Sequence, residues 1–267
     1  SIPFLSSIIK KKIQKGLGLS NAKVVVSGAA AIQVAQRNWF RKIGVNITIG
    51  YGMTENCAIT TQLPGSNFSK PGSVGEVQPD VEIKIDEGSE EVLMRGPYVM
   101  LGYYNDSETT NNTIKNGWLH TGDKGKIDDD GHLYITGRVK DTFKTSKGEF
   151  IDPAKIEVLF GEVEYFGQMC VVGLGIPQPI MLVNISDIGK KLTKNELIDK
   201  LENKLSSVNS KAFNYLRVST IVICKDEWTP QNEILTPTMK IKRGNVDKMY
   251  MDKYDEWHHS DKKIIWE

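Results

Sequence analysis

Residues 51–56, Tyr-Gly-Met-Thr-Glu-Asn, offer an aromatic face, a glycine, a hydroxyl and a carboxylate in consecutive order. That set suits a nucleotide: Tyr51 for ring stacking, Gly52 for close backbone approach, Thr54 as a donor to phosphate, Glu55 as a hard oxygen ligand for Mg²⁺. A polar strand-to-loop turn has the same composition. In residues 117–125, GWLHTGDKG, Asp123 follows a glycine in a tight turn, where one carboxylate can accept from two vicinal ribose hydroxyls. A turn aspartate reads the same way. His120, among aromatic and apolar neighbours, reads as a packed residue and not as a general base. Residues 137–150, GRVKDTFKTSKGEF, collect Arg138, Lys140, Lys144 and Lys147 with Gly137 and Gly148. These cations either grip an anion or solvate a turn. In residues 235–243, LTPTMKIKR, Lys240 stands beyond a proline turn. Its ammonium either neutralises charge on a transferring phosphoryl group or is a solvated surface charge.

Elements at predictable places would carry these groups. Val24 to Val26 reads as a short buried strand that breaks at Gly28; Ile32, Ala35, Trp39 and Ile43 recur at helical spacing; Val45, Ile47 and Ile49 alternate up to Gly50. This is a parallel strand-helix-strand unit whose carboxyl ends, Gly28 and Gly50-Tyr51-Gly52, emerge on one edge, where ligands bind. From about Ser73 to Thr136 short alternating strands, VEIKI, EVLMR and HLYIT, with turns at Gly88 and Gly131, predict a small antiparallel barrel or sandwich. A third region follows. Asp152 caps a helix with Pro153 first and Ile156, Leu159 and Phe160 on one face. Strands are expected at MCVVGL, MLVNIS and STIVIC, and a capping box from Thr193 to Glu196 starts a helix with Leu197, Ile198, Leu201 and Leu205 inward.

Composition narrows the function classes. The 267 residues carry a formal net charge of +1 with 25% charged residues, so no bulk field marks a nucleic-acid binder. Three distant cysteines, Cys57, Cys170 and Cys224, fit neither a disulfide framework nor a CxxC metal site and imply a reducing compartment. No apolar run approaches the ~18 to 20 residues of a spanning helix. The opening SIPFLSSIIKKKIQKGLGL also fits a membrane-surface helix, although a piece severed from a larger domain explains its abrupt start better. GxxxxGK[ST], a strand-borne GxGxxG, HRD and DFG are all missing.

Taken in order, SGAAA, YGMTE, KPGSVGE, RGPYVMLGYY, GWLHTGD, GRVKDTFKTSKGEF and LTPTMKIKR resemble the adenylate-forming superfamily. Among its branches they are most similar to the long-chain fatty acyl-CoA synthetases, to which GEFIDPAKIE adds support. The resemblance runs from about Ser27 to Arg243. It implies two half-reactions: a carboxylate attacks the α-phosphate of ATP to give acyl-AMP and pyrophosphate, and the thiol of CoA then displaces AMP. It also implies that Gly28, Ala29 and Tyr51 hold adenine, that Thr54 contacts phosphate, and that Glu55 holds Mg²⁺. Asp123 and Arg138 would hold the ribose. Lys240 would bridge the reacting carboxylate and the α-phosphate, Lys140 would be the hinge, and Lys144 and Gly148 would belong to the face presented in the second step, the glycine leaving room for the pantetheine arm of CoA.

The implied fold is mixed α/β and α+β. Residues 1–137 would end a large AMP-binding domain, made of the parallel unit and the small β-barrel; 138–140 would form a hinge; 141–267 would be a mobile small α+β domain. The family's Ser/Thr/Gly-rich phosphate loop should lie upstream of SGAAA, and this chain holds none there. The chain is therefore expected to be the carboxyl-terminal half of a synthetase, inactive in adenylation alone, with the amino-terminal part of the same protein, fatty acid, ATP and CoA as partners. Two other readings remain: an acyl-AMP ligase loading a carrier protein, and a non-catalytic nucleotide- or partner-binding module. The expected location is cytoplasmic, and a long-chain substrate is compatible with loose peripheral contact with a membrane.

Overall fold

The computed structural model describes residues 3–29, 32, 34–61, 70, 72–161 and 163–267. The chain divides into two compact units, Ser1–Thr136 and Gly137–Glu267. Among the described residues no helix is long and apolar enough to cross a membrane.

In the first unit, helix α1 (Pro3–Gly16) precedes strand β1 (Val25–Ser27), helix α2 (Val34–Lys42) and strand β2 (Ile47–Ile49). β1 and β2 are parallel, with Val25 opposite Ile47 and Ser27 opposite Ile49. Ile43, Val45, Ile47 and Ile49 are buried, as alternation along β2 requires, and Ile32 and Phe40 pack on them. The parallel register brings both carboxyl ends to one edge, where the Gly50 amide donates to the Ser27 carbonyl at 2.9 Å. The first strand corrects the expectation of a buried Val24–Val26: it starts at Val25, and Val24 and Val26 are 65% and 47% exposed. The two strands form a sheet of their own, so β1 has a neighbour on one side only among the described residues. Trp39 is likewise exposed, its ring meeting Phe40 edge-on at 5.1 Å. Ala30 and Ala31 of the SGAAA stretch and Pro71 of KPGSVGE lie outside the described residues.

The rest of this unit is antiparallel. Strands β3 (Gly75–Glu76), β4 (Glu82–Ile85) and β5 (Glu91–Arg95) precede helix α3 (Ser107–Thr113), then β6 (Ile114–Lys115), β7 (Trp118–Ile127) and β8 (His132–Arg138). Their order is β3-β8-β7-β5-β4, with β6 on β7. Among the described residues the expected small barrel is an open sheet: β3, only two residues long, and β4 end the order at opposite edges. The turns fall where expected, with Ser89 N donating to Asp86 Oδ2 at 2.9 Å and Gly131, at φ 78°, donating to the Asp128 carbonyl.

The second unit begins at Gly137, and a 3₁₀ turn (Val139–Asp141) leads to a small hairpin, β9 (Phe143–Lys144) with β10 (Phe150–Ile151). Helix α4 (Pro153–Phe160), β11 (Phe166–Val172), β12 (Ile180–Ile185), helix α5 (Lys194–Asn209), β13 (Ile221–Ile223), helices α6 (Arg243–Tyr250) and α7 (Tyr254–His259) and β14 (Ile264–Trp266) complete it. The main sheet runs β11-β12-β13-β14, antiparallel at the first pair and parallel at the others. Apolar runs such as Ile180–Val183 serve both faces: Met181 and Val183 meet Ile156, Phe160, Leu197, Leu201 and Leu205 of α4 and α5, while Ile180 and Leu182 meet Val246, Tyr250, Tyr254 and Trp257. Asp152 caps α4 through Ala154 N, and the Thr193–Glu196 box caps α5. Leu159 departs from its expected place and is 40% exposed, because Ile156 and Phe160, four apart, take the inward stripe.

Candidate active site

Of the residues singled out from sequence in the first unit, Gly28, Ala29 and Tyr51 lie at the carboxyl ends of β1 and β2, and Asp123 meets Tyr51 there. Gly28 and Ala29 are exposed just past β1; a Cβ on Gly28 would stand 3.4 Å from the Gly50 carbonyl, and Ala29 takes a left-handed φ of 63°. Tyr51 follows β2, and its hydroxyl donates to Asp123 Oδ2 at 2.7 Å although 72 residues separate them. The two residues that the sequence assigns to base and ribose are therefore neighbours.

Asp123 owes its position to a bulge in β7. Glu91 pairs with Lys124 and Leu93 with His120, so Thr121, Gly122 and Asp123 stand opposite Val92 alone. Gly122, at φ 73°, makes the bend, and Asp123 is 7% exposed. Glu91, not among the residues singled out from sequence, clamps the bulge: Oε1 accepts from Gly122 N at 2.8 Å and Oε2 lies 2.9 Å from His120 Nδ1. His120 is thus a structural partner of Glu91.

Thr54 and Glu55 lie on a 3₁₀ turn (Thr54–Asn56), Thr54 exposed and Glu55 half-buried. Glu55 Oε1 accepts from the Tyr103 hydroxyl at 2.7 Å. That bond, with burial, raises the Tyr103 pKa above its ordinary value, so the phenol stays a donor. The turn is built on Asn56, which is fully buried: its Oδ1 accepts from Met53 N at 2.9 Å and its Nδ2 donates to Thr60 Oγ1 at 2.8 Å. Nothing in the sequence singled out Asn56. Gly52 has a reason beyond ligand approach, since a Cβ there would lie 2.5 Å from the Ala58 carbonyl oxygen and closer still to the Ala58 Cα and carbonyl carbon. A single half-buried carboxylate fits Mg²⁺, which keeps most of its waters and takes one or two protein oxygens beside phosphate.

In the second unit the predicted residues are cationic or small and lie at strand ends and turns. Arg138 ends β8 and Lys140 lies within the 3₁₀ turn, both exposed. Lys144 and Gly148 share the β9–β10 hairpin. The Lys144 ammonium stands 5.3 Å from the exposed Phe150 ring centroid, and Gly148 donates to the Thr145 carbonyl at 3.0 Å with φ 90°. A Cβ on Gly148 would meet open space, so backbone conformation alone requires the glycine. Lys240 is exposed on a separate tight turn, closed by Thr236 N to the Lys240 carbonyl at 2.8 Å and Lys240 N to Thr236 Oγ1 at 3.0 Å, with Met239 left-handed at φ 64°. Gly137 is hemmed in: a Cβ would lie 2.7 Å from Asp152 Oδ1.

The sequence profile of the AMP-binding enzymes matches residues 4–104, and that of the AMP-binding enzyme C-terminal domain matches residues 140–262. Long chain acyl-CoA synthetase 4 of Arabidopsis thaliana is 27% identical over 96% of this chain and 43% of its own length. Long-chain-fatty-acid–CoA ligase 1 of Saccharomyces cerevisiae is 29% identical over 96% of this chain and 41% of its own length. The chain thus spans less than half the length of these relatives. Among solved structures, the anthranilate CoA ligase AuaEII in complex with anthranoyl-AMP superposes with a TM-score of 0.69 at 25% identity, over 86% of this chain and 45% of the other. Two profiles that together take in most of the chain, and a fold shared with an acyl-adenylate-binding ligase, place it: this chain belongs to the AMP-binding, adenylate-forming enzyme family.

Proposed function

We propose that the chain is the carboxyl-terminal part of an acid–thiol ligase of the long-chain acyl-CoA synthetase type. In the first half-reaction a fatty-acid carboxylate oxygen attacks the α-phosphorus of ATP, the bond to the β-phosphate oxygen breaks, and pyrophosphate leaves. In the second, the sulfur of CoA attacks the acyl carbonyl carbon, the bond to the AMP oxygen breaks, and the thiol proton passes to solvent.

Tyr51, with Gly28 and Ala29, holds the base; the Asp123 carboxylate accepts from the ribose hydroxyls and the Arg138 guanidinium donates to them; Thr54 contacts phosphate. Glu55 would hold Mg²⁺, whose charge, when bound, offsets that of the phosphates. Lys240 neutralises charge at the α-phosphate and the attacking carboxylate, because phosphoryl-type transfer is catalysed chiefly by positioning and charge. Lys140 is the joint between an adenylating and a thioester-forming arrangement, and Lys144 and Gly148 serve the second. The hydrogen bond from Tyr51 to Asp123 carries the reading, since it unites the base-binding and ribose-binding positions at one strand edge. The long-chain preference is supported by the relatives that match nearly the whole chain.

Pyrophosphate exchange into ATP by the complete protein tests this. Exchange should depend on a long-chain fatty acid, and CoA should then release AMP. Exchange indifferent to fatty acid would refute the reading, as would robust fatty-acid-dependent exchange by residues 1–267 alone.

A further inference from the structure

Arg243 opens α6 three residues beyond Lys240, and acceptors from three other parts of the second unit enclose its guanidinium. Nε donates to Asp141 Oδ2 at 3.1 Å, Nη2 to both Glu157 oxygens at 2.6 Å each, and Nη1 to the Val171 carbonyl at 3.0 Å and Cys170 Sγ at 3.2 Å. Glu157 Oε1 also accepts from Val171 N at 2.8 Å. The Arg243 and Glu157 side chains are each 17% exposed, so solvent and salt screen this cluster weakly. A basic run at the end of LTPTMKIKR suggests a solvated charge; this arginine is an interior one.

A buried ion pair is seldom the most stabilising way to fill such a space, since apolar side chains of similar volume often do as well or better. What it supplies is geometry, because a planar fork with five donors fixes several acceptors at once. Here the fixed parts are the two the reaction needs. On one side, the Leu235–Ile241 bridge and the bond from Lys242 N to the Ile234 carbonyl at 2.8 Å tie the Lys240 turn to the start of α6. On the other, Asp141 directly follows Lys140. We infer that Arg243 is a positioning residue that holds the Lys240 turn at a set distance from the Lys140 joint, so that rotation there carries the lysine as part of a rigid body. The inference rests on the roles proposed above for Lys240 and Lys140.

The test follows the two half-reactions separately in the complete synthetase: fatty-acid-dependent pyrophosphate exchange, and CoA thioester formation from supplied acyl-AMP. Arg243→Gln and Arg243→Lys should lower exchange about 100-fold, the scale of a ~1 Å misplacement at a reacting centre, and leave thioester formation largely intact. Adding Arg243→Gln to Lys240→Ala should lower exchange little further, because residues acting as one unit are non-additive. Equal loss of both half-reactions, or full additivity with Lys240→Ala, overturns the inference and leaves Arg243 a support of the fold. If the Arg243 variants fail to fold, Asp141→Asn replaces them, since it unlinks only the joint and spares the Glu157 pair. The same split is expected there, and its absence overturns the proposal. Lys240→Ala that spares exchange would instead sink the functional reading, and the inference with it.

Discussion

Gly52→Ala separates two reasons for a glycine in the Tyr51–Asn56 segment. If the glycine serves only to let the backbone approach a nucleotide, the variant should fold normally and bind poorly. The structure demands more. The new methyl would lie 2.5 Å from the Ala58 carbonyl oxygen and closer to two further Ala58 backbone atoms. Ordinary contact begins at about 3.5 Å, so one backbone segment must retreat by roughly 1 Å. Overpacking of this kind typically destabilises by about 1–3 kcal/mol. Two bonds report on it directly: Ala58 N to the Met53 carbonyl at 2.9 Å and Thr60 N to the Tyr51 carbonyl at 3.2 Å. If both open with the displaced segment, their amides should exchange with solvent about 5- to 150-fold faster in Gly52→Ala, the same energy expressed as an opening equilibrium. Because the retreat moves Tyr51 and Glu55 together, fatty-acid-dependent exchange in the complete enzyme should fall by about two orders of magnitude. Unchanged protection at Ala58 and Thr60 would refute the packing argument, even if nucleotide binding were lost.

Three other outcomes follow. Lys140→Pro, which fixes φ at the proposed joint, should impair thioester formation from supplied acyl-AMP and spare adenylation; equal loss of both would refute the two-arrangement assignment. Cys57 is exposed, whereas burial pushes the Cys170 and Cys224 thiols up to about 12, so a thiol reagent should modify the native chain rapidly at Cys57 alone and reach all three cysteines only on unfolding. Burial first, and then neighbouring His259, lowers the His258 pKa below its ordinary 6.5, so the folded state binds fewer protons than the unfolded one as pH falls below that value. Stability should therefore decline from pH 7 to pH 5, and His258→Asn should flatten that decline in thermal unfolding; an unaltered slope would show that His258 is not its source.

What the sequence made visible was local or periodic. Asp152 with Pro153, and Thr193 with Glu196, announce helix starts because a cap and its amide lie two or three residues apart. Val45, Ile47 and Ile49 announce a strand because alternation belongs to the strand itself. Exposure of Val24 and Val26 was not legible, since burial of an apolar side chain depends on what covers it. Nor was the open sheet, because alternation predicts strands and not whether the last closes on the first. The bond between Tyr51 and Asp123 depends on a bulge in the β5–β7 pairing, and the Arg243–Glu157 pair spans 86 residues; no short-range pattern encodes either.

The two units hold their candidate groups by different means, and this bears on how each would act. In the first, Asp123 and Glu55 are already engaged, by Tyr51 and Tyr103 respectively, so a ribose or a cation would enter a set of acceptors held in orientation before it arrives. Little side-chain freedom then remains to be lost on binding, and preorganisation of this kind strengthens binding without added contact area. In the second, Lys144 at the end of β9 and Lys240 on its turn are exposed, and what is ordered is the backbone around them: Gly148 and Met239 in left-handed conformations, and Thr236 bonded twice to Lys240. A long, solvated lysine on a stiff turn keeps its reach while its base is held in place. That arrangement suits the role proposed for Lys240, a charge used in one of two half-reactions, and the Arg243 cluster, bonded to Asp141 and Glu157, anchors the chain three residues beyond it.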